Sequence, residues 1–194
     1  MAVQKQQTIQ TFTNYLLLSL SDDEDGVFHH SVVYICDHNE DGALGLIINK
    51  EIDLKMDDLF KKLELDSIAD NMPYISKKHV GIGGSSESER GFVLHTKTEK
   101  EYSSSITREL SVTTSLDVLE EIALGNGPED FLMALGCANW GSGQLEQEIK
   151  QNQWLLLLSS KEIIFGVPAK EKYNKCLELL GIKPWQLSMF SGNS

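Results

Sequence analysis

Apolar residues recur along this chain in two periods. Residues 15–20, 32–36, 44–48, 131–135 and 154–158 are short, nearly unbroken apolar runs rich in Leu, Ile, Val and aromatics, the pattern of strands buried on one or both faces. Residues 90–95, 110–113 and 163–165 read as further short strands. Elsewhere the spacing lengthens to that of a helix. Met56, Leu59, Phe60 and Leu63 fall at i, i+3, i+4 and i+7 with Asp and Lys between them; Leu116, Leu119 and Ala123 follow a Thr114 or Ser115 cap; Leu145 and Ile149 sit four apart; and Tyr173, Leu177 and Leu180 follow Pro168. Gly125 to Pro128 and Gly181 supply the helix stops. The Asp-Gly of Asp41-Gly42 joins the second and third strands as an antiparallel hairpin with a longer loop. Hairpins mixed with single helices, without strict βαβ alternation, predict an α+β fold with a mixed, mostly antiparallel sheet flanked by helices.

The stretch around which the rest is organised is Leu135-Gly136-Cys137-Ala138-Asn139-Trp140-Gly141-Ser142-Gly143-Gln144. It reads as the end of a strand, a glycine elbow carrying a half-exposed Trp140, and the start of a helix. Trp140 in such an elbow either plugs the core from above or lines a groove.

The chain has 194 residues, which suits one domain, here residues 14–188, with residues 1–13 as a loose arm and 189–194 as a tail. Seventeen basic against 29 acidic residues leave a net charge of −12, which opposes approach to a phosphate backbone and speaks against direct nucleic-acid binding. Three cysteines, Cys36, Cys137 and Cys176, make neither an even framework nor a C-x-x-C pair, so a reduced cytoplasmic setting is expected. Residues 1–13 lack an apolar signal-peptide core, and residues 15–20 are far shorter than the roughly 20 apolar residues a membrane helix needs.

Several residues are candidates for chemistry. Cys36 and His38 are two apart, so on a regular strand they share a face; Cys36 is then a candidate redox thiol beside His38, against the alternative of a small core residue. Two ligands do not make a zinc site, and no metal or cofactor is expected. His29-His30 suits an acid–base pair or a polar strand entrance. Gly81-Ile82-Gly83-Gly84-Ser85-Ser86 could cradle an anion through successive amides, or simply turn the chain tightly; Glu87 and Glu89 oppose an anion there and Arg90 favours one. Gln144, Glu146 and Asn152 gather near the elbow.

Taken together, several stretches resemble the AlgH/YqgE family of bacterial proteins: Phe28 through Asn39, Gly42 through Lys50, Gly83-Gly84, Arg90-Gly91-Phe92-Val93-Leu94-His95, Thr114 through Leu119, and Leu135 through Trp154, all in the same order. The resemblance spans about residues 14–181. It implies a bifurcated, partly barrel-like sheet surrounded by helices in a single cytoplasmic domain, a transcriptional-regulator label, and no established enzymatic activity. The motif positions His38, Asn49, Gly83, Gly84, Arg90, Gly91, His95, Asp117, Trp140, Gly143, Gln144 and Glu146 become candidates for a shared surface or pocket. The chain departs from the family pattern at Leu20-Ser21, Asp25-Gly26, His29-His30, Glu51 and Ser85, where prolines or basic residues are usual.

Two functional readings follow. One is a non-catalytic cytosolic regulator that presents Trp140 to a protein partner. The alternative is a small-anion or nucleotide-binding protein, or a weak enzyme, using the Gly83-Gly84 loop, Arg90 and one of His38 or His95.

Overall fold

β-Branched and leucine-rich runs meet across the sheet in the computed structural model, which describes residues 11–65, 75, 77–98, 104–183 and 186. The first strands are β1 (Tyr15–Ser19), β2 (Val32–Asn39) and β3 (Gly42–Ile47), followed by β4 (Glu51–Lys55), helix α1 (Met56–Lys62), β5 (His79–Ile82) and β6 (Ser86–Thr96). Then come β7 (Ser104–Ser105), β8 (Leu110–Thr113), α2 (Leu116–Ala123), β9 (Phe131–Gly141), α3 (Gln144–Lys150), β10 (Trp154–Leu158), a π-helical turn (Glu162–Gly166) and α4 (Ala169–Leu179).

The described strands form one mixed, mostly antiparallel sheet in the order β10-β1-β2-β3-β9-β6-β8-β7, strongly curled into a half-barrel. Strand β9 is its spine, and there the sheet forks. Residues 138–141 of β9 pair antiparallel with β3, while Ala134 and Leu135 on the same edge pair in parallel with Gly81 and Ile82 of β5. Along its other edge β9 pairs with β6. The change of partner falls at Gly136, whose φ of +74° bends the strand in a conformation that favours glycine.

Three apolar clusters result. One face packs Leu16, Tyr34, Leu46 and Leu94 against Ile164, Cys176 and Leu177 from the π-helical turn and α4. On the other face, α1 and α2 cover Val93, Phe131 and Met133, and α3 covers Leu17, Ile35 and Trp140 through Leu145. A fully buried leucine contributes roughly 1.5–3 kcal/mol relative to an exposed one, so this zipped leucine strand β1 is a principal anchor.

The structure revises four local expectations. Residues 163–165 are a π-helical turn, because Ser160 accepts the Ile163 amide through its side chain and the Val167 amide reaches back to the Glu162 carbonyl; so short an apolar run suits either a strand or a helical segment. On α2 the inward face is Val118, Leu119, Ile122 and Ala123, while Leu116 is 56% exposed. The hairpin between β2 and β3 turns tightly through Glu40 and Asp41. Finally, of the residues assigned to the arm, Phe12 is buried, and its amide donates to Nδ1 of His38 at 3.0 Å. The expected connection over residues 66–78 and the tail 189–194 lie largely or wholly outside the described residues.

Candidate functional site: a lysine-lined cavity at the fork of the sheet

Trp140 is not presented on an elbow. Strand β9 runs through Gly136 to Gly141, and Trp140 is only 6% exposed inside the cluster beneath α3. Its Nε1–H donates to Oε2 of Glu148 at 2.7 Å, and Nε1–H of Trp154 donates to the same oxygen at 2.9 Å. Oε1 of Glu148 accepts from Gln144, whose own Oε1 accepts the Gly141 amide. One carboxylate therefore ties two indoles, the first turn of α3 and the end of β9 together. A polar cleft of about 480 Å³ adjoins this clasp, but the rings turn little surface toward it.

Gln144, Asn152, Ser85 and Ser86 line that cleft, but His38, Asn49, Arg90, His95 and Asp117 do not. Nδ1 of His38 accepts from the Phe12 amide, which places the ring proton on Nε2, and Nε2 donates to Glu146 at 3.1 Å. Cys36 and His38 lie on opposite faces of the sheet. A bulge between Ile35 and Asp37 reverses the alternation, so His38 pairs with Ala43 on the Trp140 side while Cys36 packs into the core under α4. Asn49 accepts the Val32 amide and donates to the His30 carbonyl, holding the start of β2. Asp117 accepts from the Ser115 hydroxyl at the cap of α2. His95 is buried, with Nδ1 against the Thr96 carbonyl at 2.8 Å; burial lowers its pKa and the carbonyl contact partly offsets this.

In the glycine loop the first amide is already committed within the sheet. The Gly83 amide donates to the Leu135 carbonyl, and its carbonyl accepts from Ile47. A Cβ at Gly83 would collide with the Gly136 carbonyl oxygen, and one at Gly84 with the backbone of Cys137. These glycines let one strand cross closely over another. A Cβ on Gly91 would instead meet the flexible end of Met133, and Gly143 is the left-handed cap of α3. Arg90 sits at the surface, paired with Glu87 at 2.7 Å and donating to the Thr114 hydroxyl. The His29 and His30 rings stack at 3.9 Å, and His30 packs on Tyr173.

Cys36 lacks the setting of a reactive thiol. It is buried, and burial, then Cys137 and Asp37, push its pKa far up; Cys176 is pushed to about 11, chiefly by burial, and Cys137 also rises. All three thiols should therefore stay unmodified by an aromatic disulfide reagent over the time in which the urea-unfolded chain reacts completely. Fast reaction of a native thiol, followed by absorbance, would contradict this.

A different site emerges at the fork, where β3 parts from β9 and β5 takes its place. A cavity of about 240 Å³ opens there between the strands, the π-helical turn and the start of α4. Phe131, Met133 and Phe165 give it apolar walls. Among the described residues its polar lining is chiefly basic: Lys50, Lys77, Lys78, Lys172 and His79, against the carboxylate of Glu51. Lys77 and His79 are exposed at the rim, Lys50 and Lys78 half-buried, and Lys172 buried at 2% exposure. Nζ of Lys172 donates to the Ile48 carbonyl at 3.1 Å, and Nζ of Lys78 lies 4.5 Å over the Phe131 ring. Desolvation, with Lys78 as a further unfavourable neighbour, holds Lys172 down at about 8, while Glu51 and Cys176 pull the other way. Lys50 is also lowered by burial.

None of these lysines was singled out from the sequence. The available signal was Lys172 itself, a charged residue at the phase of Tyr173, Cys176 and Leu177 on the inward stripe of α4, together with the adjacent Lys77-Lys78-His79 in an acidic chain.

Among the described residues no three His, Cys, Asp or Glu side chains gather as metal ligands would, and no helix is long and apolar enough to cross a membrane. Fold and cavity define an α+β half-barrel protein whose forked sheet encloses a small basic cavity. The chain belongs to the AlgH-like family (DUF179), whose model matches residues 16–185. A UPF0301 protein of Ralstonia nicotianae is 45% identical, over 94% of this chain and 95% of the relative. Another, of Albidiferax ferrireducens, is 41% identical over 96% and 97%. The solution structure of the AlgH protein from Pseudomonas aeruginosa superposes with a TM-score of 0.75 at 33% identity, covering 98% of each chain. A protein of Corynebacterium diphtheriae shares the fold alone, with a TM-score of 0.70 at 16% identity over 95% of this chain and 93% of that one.

Proposed function

We propose that this protein is a cytosolic, non-catalytic regulator that responds to a small anionic metabolite held in the lysine-lined cavity. The carrying observation is the charge reversal: among the described residues, four lysines and a histidine face one carboxylate inside a chain of net charge −12. Amines partly stripped of water attract an anion far more strongly than surface lysines do. The first turn of α4, at Pro168 and Ala169, also borders the cavity and adds the positive end of its dipole. At this volume the fitting class is a short dicarboxylate, an oxo-acid or a small phosphate ester rather than a polymer. With Trp140 buried, capture of a partner by an exposed indole loses its motive, and the anion site moves from Gly83-Gly84 and Arg90 to the lysines.

Thermal-shift measurements with malonate, inorganic phosphate and sugar phosphates test this reading. A ligand at a hundredfold excess over its Kd adds about 2.7 kcal/mol of stability, or roughly 5–10 °C for a chain of this size. Affinity for a ligand without a carbonyl should fall as pH rises through about 8, because Lys172 then loses its proton. Midpoints that follow ionic strength alone, with no difference between these anions and chloride, would overturn the proposal.

A further inference from the structure

We infer that Lys172 captures the carbonyl carbon of a small oxo-acid as an imine inside this cavity, an inference that rests on the anion-binding reading above. The amine stands in the cavity wall, 2% exposed, with its hydrogen bond directed to a backbone carbonyl. Among the described residues no carboxylate comes within ion-pair distance of its Nζ. That is an unusual place for a lysine with no chemical task, since a buried ammonium ordinarily finds a carboxylate partner.

The surroundings divide the work. Lys50, between β3 and β4, and Lys78, just ahead of β5, are half-buried and suit the carboxylate end of a ligand, leaving its carbonyl carbon within the apolar part that Lys172 borders. Of the charged and titratable groups facing the amine among the described residues, Lys78 and burial favour the free base, Glu51 and Cys176 favour the ammonium, and Lys50, Lys77 and His79 line the same space. With the balance near 8, about a tenth of the amine is uncharged at neutral pH. Desolvation and a neighbouring cation are the usual physical means by which a lysine becomes nucleophilic.

The step balances without any further reagent. The lone pair of neutral Nζ adds to the carbonyl carbon, and the carbonyl oxygen gathers both amine hydrogens and leaves as water, so the C=N bond replaces C=O. The reaction is reversible, and no oxidant or reductant is consumed. Lys172 then becomes a sensor that distinguishes an oxo-acid from the corresponding hydroxy-acid.

The test traps the imine by hydride. Full-length protein is incubated with glyoxylate or pyruvate and a limiting amount of cyanoborohydride, and lysine peptides are mapped by mass spectrometry. Lys172 is expected to carry the carboxymethyl or carboxyethyl group at least tenfold above Lys61 and Lys175, with yield rising to a plateau above about pH 8. Malonate should protect Lys172, and Lys172→Arg should lose the adduct. The map on the native chain decides the matter even if that variant fails to fold. Modification spread evenly over the lysines, or absent from Lys172, overturns the imine. If malonate still raises the thermal midpoint in that case, anion binding stands without it; if malonate has no effect either, both fall.

Discussion

Replacing Lys172 with Met is expected to raise the thermal midpoint of the protein by several degrees near neutral pH while abolishing its response to malonate. The native side chain is buried, and its pKa falls from the ordinary 10.5 to about 8. Below both values the folded state holds an ammonium that would be better solvated in the unfolded chain. Met fills a similar volume without that cost, and the lost hydrogen bond to Ile48 offsets part of the gain, leaving roughly 1–3 kcal/mol. At 2–4 °C per kcal/mol the midpoint should rise by about 2–10 °C. The sign with pH is definite. Between about 8 and 10.5 the unfolded chain binds a proton that the folded one has released, so native stability rises with pH through that window and the gap to the variant closes. A variant less stable than the native chain at pH 7, with a gap independent of pH, would show that Lys172 serves packing instead.

Glu148→Ala should have an effect of the opposite sign. Removing this carboxylate leaves two indole N–H groups, on Trp140 and Trp154, without their shared acceptor and frees Gln144 from the first turn of α3. An orphaned buried donor costs about 1–3 kcal/mol, and water from the adjoining cleft can reach these, so the total should be about 2–3 kcal/mol, a fall of roughly 5–10 °C. Glu148→Gln keeps one acceptor oxygen and should lose about half as much. Urea denaturation followed by tryptophan fluorescence checks both. A native-like midpoint for the alanine variant would mean that the indoles do not depend on this clasp. Neither variant touches the lysine cavity, so malonate should shift both as it shifts the native chain.

The strands and helices were largely legible because their signals are local. Leucines in unbroken runs and the 56, 59, 60, 63 spacing place β1, β3 and α1 within a residue or two, and β2 to within three. What stayed hidden depends on partners far away in sequence. The bulge after Ile35 moves Cys36 and His38 to opposite faces, and nothing in Tyr-Ile-Cys-Asp-His announces it. The glycines around Trp140 suggested an exposed bend; instead Gly136 bends β9 at the fork and Gly141 lets the strand run on beside Gly42. The motif positions His38, Asn49, Asp117 and Glu146 prove to hold the scaffold through hydrogen bonds to caps and amides. Gly83 and Gly84 secure a close backbone crossing against Gly136 and Cys137. The lysines come from the segment after β3, the approach to β5 and the first turn of α4, more than 120 positions apart between Ile48 and Lys172, so no spacing rule could have joined them.

Titrating malonate into isotope-labelled protein at pH 7 and following the backbone amide resonances places a bound anion directly. The amides of Ile48, Lys50, His79, Gly81, Ala169 and Lys172 are expected to move together along one saturating curve, and to stay still in Lys172→Met. Shifts confined to the cleft beside Trp140, scattered over the outer lysines, or missing at millimolar malonate would contradict a basic cavity built to hold an anion.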